Sequence, residues 1–188
     1  MKSITNDKHD VRVYYCPHGM NFDWYHPITD TVELQKLESF KTSLLTSAGD
    51  KERNFIILWI SRNIRRKQPG DVILAYKEFC DMLTKEEAAK CLLIMHTSPV
   101  DNNGTDLYAV KSELCNEYDV IFSAGTMDEV HMNYLYNIAD VGINIANNEG
   151  FGLTTCESLA AGTPIIVNVT GGLQDQCGFT LDGEELTA

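Results

Sequence analysis

Short hydrophobic runs alternate with longer amphipathic segments from residue 55 onward. Each run is six to eight residues long and almost wholly apolar: FIILWIS (55–61), CLLIMHTS (91–98), DVIFSA (119–124), VGINIA (141–146) and PIIVNV (164–169). Continuous apolar runs of this length are typical of strands buried on both faces. The pattern therefore predicts five buried strands.

The segments between these runs have the spacing of crossover helices. They are PGDVILAYKEFCDMLT (69–84), DLYAVKSELCNE (106–117), MDEVHMNYLYNIA (127–139) and LTTCESLAAG (153–162). Strands that alternate with helices form a parallel sheet covered on both faces. We therefore predict an α/β fold with a doubly wound, parallel, Rossmann-like sheet, in which ligands bind at the carboxyl ends of the strands where strand order reverses.

The first 50 residues follow a different pattern. Turn-forming and aromatic residues precede one amphipathic segment, TVELQKLESFKTSLLTSAG (31–49), which Gly49 is suited to end. We interpret residues 1–50 as an arm or linker with a helix, and residues 51–188 as the Rossmann-like domain. His18 has no acid or nucleophile beside it in the sequence, so a structural or solvent-facing role is expected.

Composition and charge limit the classes of ligand. The 188 residues are 44% hydrophobic and 22% charged, as in a globular protein, and the net charge of −12 argues against a nucleic-acid or anionic membrane surface. Any phosphate must therefore be bound locally. No apolar run approaches the roughly 18 residues of a membrane span. The six cysteines form no C-x-x-C pair or metal-ligand cluster, so we expect a reducing, cytoplasmic location and no metal site.

A basic loop follows the first predicted strand. The stretch SRNIRRKQPG (61–70) holds Arg62, Arg65, Arg66 and Lys67, but neither G-x-G-x-x-G nor G-x-x-x-x-G-K-[ST]. Dehydrogenase and P-loop classes are therefore disfavoured. Arginine and lysine at the carboxyl end of a strand are able to neutralise a diphosphate, although a solvated, basic helix start is an alternative interpretation.

A glycine-containing loop follows the fourth predicted strand, in NNEGFGLTTCESLAAGTP (147–164). Gly150 and Gly152 permit a close backbone approach, and a helix that begins near Leu153 presents unpaired amides to an anion. Glu149 and Glu157 flank this loop, and a carboxylate accepts hydrogen bonds from neighbouring hydroxyls, as on a sugar and a ribose. A solvated or capping role for each glutamate is the alternative interpretation.

The run EGFGLTTCESLAAGTPIIVNVTGG resembles the E-G-F-G-x-x-x-x-E-A-x-A-x-G-x-P-V-I signature of glycosyltransferase family 4, the retaining enzymes of GT-B fold. SRNIRRKQPGDVILAYKEF is similar to the arginine and lysine loop of that family, and YYCPHGMNFDWYHP to its interdomain segment. LYNIADVGIN matches the helix and strand before the signature. The resemblance covers nearly the whole chain and implies a carboxy-terminal donor-binding domain.

The resemblance implies a role for each matching residue. The catalytic-site residues would be Glu149, Arg62 and Lys67. Glu149 would bind the hydroxyls of the transferred sugar, and Arg62 and Lys67 would contact the diphosphate of the donor. Among the other donor-binding residues, Glu157 would bind the ribose, and Phe122 and Ser123 would lie near the base. The rest of this set would be Arg66, Gly150, Phe151, Gly152, Leu153 and Thr154.

The resemblance also implies the reaction and its partners. A nucleoside-diphosphate sugar would donate its glycosyl group, with retention, to an acceptor glycan, lipid or protein held by an amino-terminal domain that has no counterpart here. Beyond the donor no cofactor is expected, and because no Asp-x-Asp occurs, a metal-bridged diphosphate is not expected. The signature alanine after the second glutamate is Ser158 here, which is small enough for the same packing. A non-catalytic nucleotide-sugar-binding module and a sugar-nucleotide epimerase remain as alternatives.

Overall fold

The computed structural model describes residues 14, 16, 18–46, 48–49, 51–178, 180–181 and 184–185. The strands among them are Phe55–Ile60 (β1), Cys91–His96 (β2), Val120–Ser123 (β3), Val141–Asn144 (β4), Ile165–Val167 (β5), Thr180–Leu181 (β6) and Glu184–Glu185 (β7). The helices are Thr31–Thr46 (α1), Pro69–Asp81 (α2), Lys85–Ala88 (α3), Leu107–Leu114 (α4), Glu129–Asn137 (α5), Leu153–Ala160 (α6) and Leu173–Cys177 (α7), with a 3-10 turn at Arg65–Lys67.

The main sheet has five parallel strands in the order β3-β2-β1-β4-β5, which confirms the predicted doubly wound fold. Ile57 of β1 lies opposite Leu93 of β2 on one side and Val141 of β4 on the other. The chain winds outward from β1 to β3 and then returns to the other side of β1 as β4. The strand order therefore reverses between β1 and β4, and the loops that follow these two strands face each other there.

Side chains alternate between two hydrophobic layers along each strand. Trp59 and Met95 pack with α2 and α4, whereas Leu58 and Ile94 pack with α1 and α5. All four side chains are at most 2% exposed. Burial on both faces is why the strand sequences are continuously apolar instead of alternating with polar residues.

The segment before the sheet covers part of the second layer. Tyr25 and Leu37 are buried there, and α1 packs against α5. The chain just before α1 is attached to α5 by amide side chains, since Asn133 accepts from the backbone N–H of His26 at 3.2 Å and Asn137 from that of Ile28 at 2.9 Å. The helix predicted in the first 50 residues is therefore present, and it lies against the sheet domain. The domain boundary at residue 50 stays a prediction.

Local signals set most helix limits. Asp106 caps α4 and Asp128 caps α5 through their carboxylates. The helix predicted over 69–84 ends earlier, at Asp81, because Thr84 forms a capping box with Glu87 and begins the separate helix α3. The short helix α7 was not predicted.

Candidate functional site

The basic loop after β1 lies against the glycine-containing loop after β4. The backbone N–H of Asn147 donates to the carbonyl of Arg66 at 2.9 Å, and the Arg66 guanidinium donates to the carbonyl of Asn148 at 2.7 Å. The side-chain amides of Gln68 and Asn147 also bond to each other. The two loops that the sequence singled out separately therefore form one continuous surface at the strand switch point.

An ion pair joins these loops at their centre. The Lys67 ammonium contacts the Glu149 carboxylate directly, with the two side chains only 11% and 10% exposed. Arg66 Nη1 lies 3.8 Å from the same carboxylate oxygen, Oε2. Two cations therefore lie beside the Glu149 charge, and one of them is Arg66, which the resemblance assigned to donor binding and not to the catalytic set.

Arg62 turns toward a different loop. Its Nε and Nη2 donate to the two carboxylate oxygens of Asp101, after β2, at 2.9 and 3.2 Å. The Arg62 side chain is 62% exposed, and its hydrogen bond holds the pKa of Asp101 below the usual range. The structure thus brings Lys67 and Arg66 to the Glu149 loop and pairs Arg62 with the neighbouring loop.

Asn63 fixes the basic loop, a role that the sequence did not indicate. The side chain is fully buried, and its Nδ2 donates to the carbonyls of Pro99 at 3.0 Å and Thr105 at 2.6 Å. Its Oδ1 accepts from the backbone N–H of Thr105 at 3.2 Å. A side chain on Gly104 would collide with Asn63, since an added Cβ would lie 2.2 Å from its carbonyl oxygen. The loops after β1 and β2 are therefore cross-linked.

Helix α6 begins at Leu153, as predicted, directly after the glycine-containing loop. Gly152 has a φ of +88°, and an added Cβ would lie 2.6 Å from a methyl carbon of Leu173, so glycine is required there. The backbone N–H groups of Leu153 and Thr154 have no acceptor among the residues that the structure describes. These amides, at the positive end of the helix dipole, are available to an anion.

A second glycine pair, Gly171 and Gly172 after β5, packs against the backbone of that loop. A Cβ on Gly171 would lie 1.8 Å from the carbonyl oxygen of Glu149, and one on Gly172 would lie 2.4 Å from that of Gly150. The Gly172 N–H donates to the Glu149 carbonyl at 3.2 Å. These glycines lay inside the quoted motif, but sequence reasoning gave them no role, because their partner is a loop more than twenty positions earlier.

Glu157 is paired with a tyrosine and not with a cation. The Tyr136 hydroxyl donates to its Oε2 at 2.6 Å, and Tyr25 packs edge-on against the Tyr136 ring. No ion pair to Glu157 occurs within the described part of the chain. Burial raises the pKa of Glu157, and the Tyr136 hydrogen bond opposes that rise. Burial and the Glu157 charge also raise the pKa of Tyr25 to about 12.

Phe122 and Ser123 end β3 at the same edge of the sheet. The Ser123 hydroxyl lies 3.2 Å from Nδ1 of His96, whose pKa is lowered by burial, and Phe122 packs edge-on against Tyr108. These residues thus lie on the β2–β3 side of the switch point. That a base binds near them stays a prediction of the family resemblance.

The amino-terminal segment reaches the glycine-containing loop. The His18 ring lies 4.7 Å from the ring of Phe151, centre to centre. This contact was not predicted, because His18 and Phe151 belong to distant parts of the chain. The contact adds His18 to the rim of the candidate site.

Neither a metal cluster nor a membrane-spanning helix is found in the described ranges. No three His, Cys, Asp or Glu side chains are grouped there to hold a metal ion. No described helix has both the length and the hydropathy needed to cross a membrane.

The chain is similar in sequence to known glycosyl transferases. The family model of the glycosyl transferases of group 1 matches residues 41–180. The alpha-monoglucosyldiacylglycerol synthase of Acholeplasma laidlawii is 29% identical over 85% of this chain and 37% of that protein. The D-inositol 3-phosphate glycosyltransferase of Geodermatophilus obscurus is 27% identical over 87% of this chain and 34% of that protein. The chain thus spans about a third of the length of these curated relatives.

A solved structure gives the same picture of the fold. Anabaena HepE, crystallised in complex with UDP-glucose, superposes with a TM-score of 0.62 at 18% identity, over 89% of this chain and 43% of the HepE chain. At this identity the superposition shows a shared fold.

Proposed function

The chain belongs to the group 1 glycosyl transferases, and we propose that it binds a nucleoside-diphosphate sugar at the strand switch point for transfer of the glycosyl group to an acceptor hydroxyl with retention of configuration. It would be a donor-binding domain of glycosyltransferase family 4. The names of the two curated relatives support glycosyl transfer, and the UDP-glucose in the HepE crystals supports this class of donor. The acceptor, a glycan, lipid or protein, would be bound by a further domain.

The observation that carries the proposal is that Arg66 and Lys67 both contact Glu149, whose side chain lies beside Gly152, the N-cap of α6, in an acidic chain with net charge −12. Side-chain cations and helix amides are the groups that bind a diphosphate. Negative charge grows on the diphosphate as its bond to the sugar breaks, and donors fixed in advance stabilise that charge. Of the sites described above, only this one joins side-chain cations to unpaired helix amides.

Donor binding would exchange the Lys67–Glu149 ion pair for contacts with the donor. A diphosphate would take over the Lys67 ammonium and leave the Glu149 carboxylate free to accept hydrogen bonds from the sugar hydroxyls. In the transfer, the bond between the anomeric carbon and the diphosphate oxygen would break, a bond from that carbon to the acceptor oxygen would form, and the acceptor hydroxyl would pass its proton to the departing diphosphate. Arg66 and Lys67 would hold the departing diphosphate.

The remaining contacts follow from the same orientation. The ribose would lie at Glu157, and the base near Phe122 and Ser123. Arg62 would leave its ion pair with Asp101 and contact the diphosphate from the loop edge. We expect the reaction in the cytoplasm, because all six cysteines are free, which suits a reducing compartment.

Isothermal titration calorimetry tests the proposal. UDP, GDP and ADP, their glucose conjugates and the free nucleosides would be titrated into the wild type and the Lys67→Met variant. Lys67→Met should weaken the binding of nucleoside diphosphates about tenfold or more, because a hydrogen bond to a charged group contributes about 1.5–3 kcal/mol. The affinity for free nucleosides should change little. Lys77→Met, which removes the α2 surface lysine paired with Asp81, is the control and should change neither.

Two results would count against the function. A folded wild-type protein that binds none of these ligands would refute donor binding. Equal losses of diphosphate and nucleoside in Lys67→Met would show that the basic loop is only structural. Release of nucleoside diphosphate from the sugar donor, measured with and without added acceptors, separates transfer from binding alone.

A further inference from the structure

We propose that Tyr136 is a positioning residue that orients the Glu157 carboxylate toward the two neighbouring hydroxyls of a ribose. This inference rests on the proposed function. Tyr136 is 2% exposed, and its hydroxyl donates to Glu157 Oε2 at 2.6 Å. The Tyr136 backbone carbonyl accepts from the Thr163 hydroxyl at 2.8 Å, and the ring packs against Tyr25. The hydroxyl is therefore held in place by packing on several sides.

The hydrogen bond leaves one carboxylate edge available. With Oε2 occupied by Tyr136, the Glu157 oxygen Oε1 and the second lone pair of Oε2 can accept from a ligand. A pair of neighbouring hydroxyls donates two such bonds, whereas the corresponding dideoxy sugar donates none. The orientation of Glu157 should therefore matter for a ribonucleotide and hardly at all for its dideoxy analogue.

The surroundings make Tyr136 the main partner of this charge. No cation pairs with Glu157 within the described residues. The titratable groups that face it are Tyr136 on α5, Tyr25 before α1 and Cys156 on α6, and all three have a raised pKa and stay neutral. The Tyr136 hydroxyl thus acts on both the direction and the ionisation of Glu157.

Tyr134 provides a matched control on the same helix. It is 5% exposed, and its hydroxyl donates to a glutamate, Glu33 of α1, at 2.7 Å. Tyr134→Phe and Tyr136→Phe therefore remove the same atom from the same kind of hydrogen bond, but only Tyr136 contacts Glu157.

The test compares a ribonucleotide with its dideoxy analogue. The tightest binder among UDP, GDP and ADP and its 2′,3′-dideoxy form would be titrated into the wild type and both phenylalanine variants, with folding checked by circular dichroism. Tyr136→Phe should weaken ribonucleotide binding about five- to tenfold and dideoxynucleotide binding less than about twofold. Tyr134→Phe should change neither.

The pH dependence of nucleotide affinity distinguishes positioning from packing, because a loss of packing alone would not change it. The ratio of ribonucleotide to dideoxynucleotide affinity should rise as Glu157 ionises, and Tyr136→Phe should shift this rise to higher pH, because loss of the hydrogen bond raises the pKa of Glu157. In Glu157→Gln the ratio should not vary with pH. The diphosphate ionises equally in both ligands, so its own titration cancels.

Each contrary result has a distinct meaning. Equal losses for both ligands in Tyr136→Phe, or an unshifted ratio profile, would overturn the positioning role while leaving nucleotide binding intact. Failure of the wild type to bind any nucleotide would overturn the proposed function and this inference with it.

Discussion

Lys67 and Glu149 should be strongly coupled in stability as well as in binding. We predict that Lys67→Met and Glu149→Gln each destabilise the protein, and that the double variant is destabilised by less than the sum of the two single losses. The reason is burial, since the two charged groups are in contact and their side chains are 11% and 10% exposed. Removal of one partner leaves a desolvated charge without its main compensation.

The contacts set the size of the effect. Removing one partner of a buried pair typically costs about 3–5 kcal/mol. Arg66 Nη1 lies 3.8 Å from the same Glu149 oxygen and would compensate part of the loss. We therefore expect Lys67→Met to lower the free energy of unfolding by about 2 kcal/mol, with a coupling energy between the two sites of about 1.5 kcal/mol.

Urea unfolding followed by far-UV circular dichroism measures this coupling in a double-mutant cycle. The matched control is the pair Lys36 and Glu33 on α1, which has an ordinary contact of 2.7 Å but side chains 58% and 38% exposed. Exposed pairs are screened by water, so the control cycle should show no measurable coupling. If the Lys67–Glu149 coupling is no larger than that of the control, burial does not strengthen this pair and the reasoning is wrong.

Three further predictions test separate parts of the site. Gly172→Ala should cost about 2 kcal/mol or more in urea unfolding, because its Cβ would lie 2.4 Å from a carbonyl oxygen. Gly150→Ala, whose Cβ meets nothing within 4 Å, should cost far less, and similar losses would contradict the packing argument. Because burial raises the pKa of Glu157, the native state loses stability as pH rises from the ordinary glutamate pKa through the raised one. Glu157→Gln should therefore melt above the wild type near pH 8, with the gain gone below about pH 4; a gain independent of pH would point to packing. Asn63→Ala should cost about 3 kcal/mol by urea unfolding, since it leaves buried backbone groups unpaired, and a loss below about 1 kcal/mol would mean that this amide does not cross-link the loops.

Local pattern and general rules of topology were enough to predict the strands and the loops that form the candidate site. The apolar runs predicted the strands, and the rule for doubly wound sheets directed attention to the loops at the carboxyl ends of the strands, which include those of Lys67 and Glu149. The sequence did not predict which partner each side chain would choose. Arg62 pairs with Asp101, and Tyr136 with Glu157, through register and loop conformation that no local spacing encodes.

The donor groups of the site differ in how firmly they are held. Gly172 bonds to the Glu149 carbonyl and leaves no space for a side chain, so the loop before α6 is fixed before any ligand arrives. The Leu153 and Thr154 amides therefore have a set position, which is the condition for electrostatic stabilisation without reorganisation. Lys67, by contrast, ends a long side chain and is paired with Glu149, so under the proposed function it would have to exchange this carboxylate for a diphosphate. The helix amides should thus determine where the diphosphate binds, and the lysine should determine how strongly.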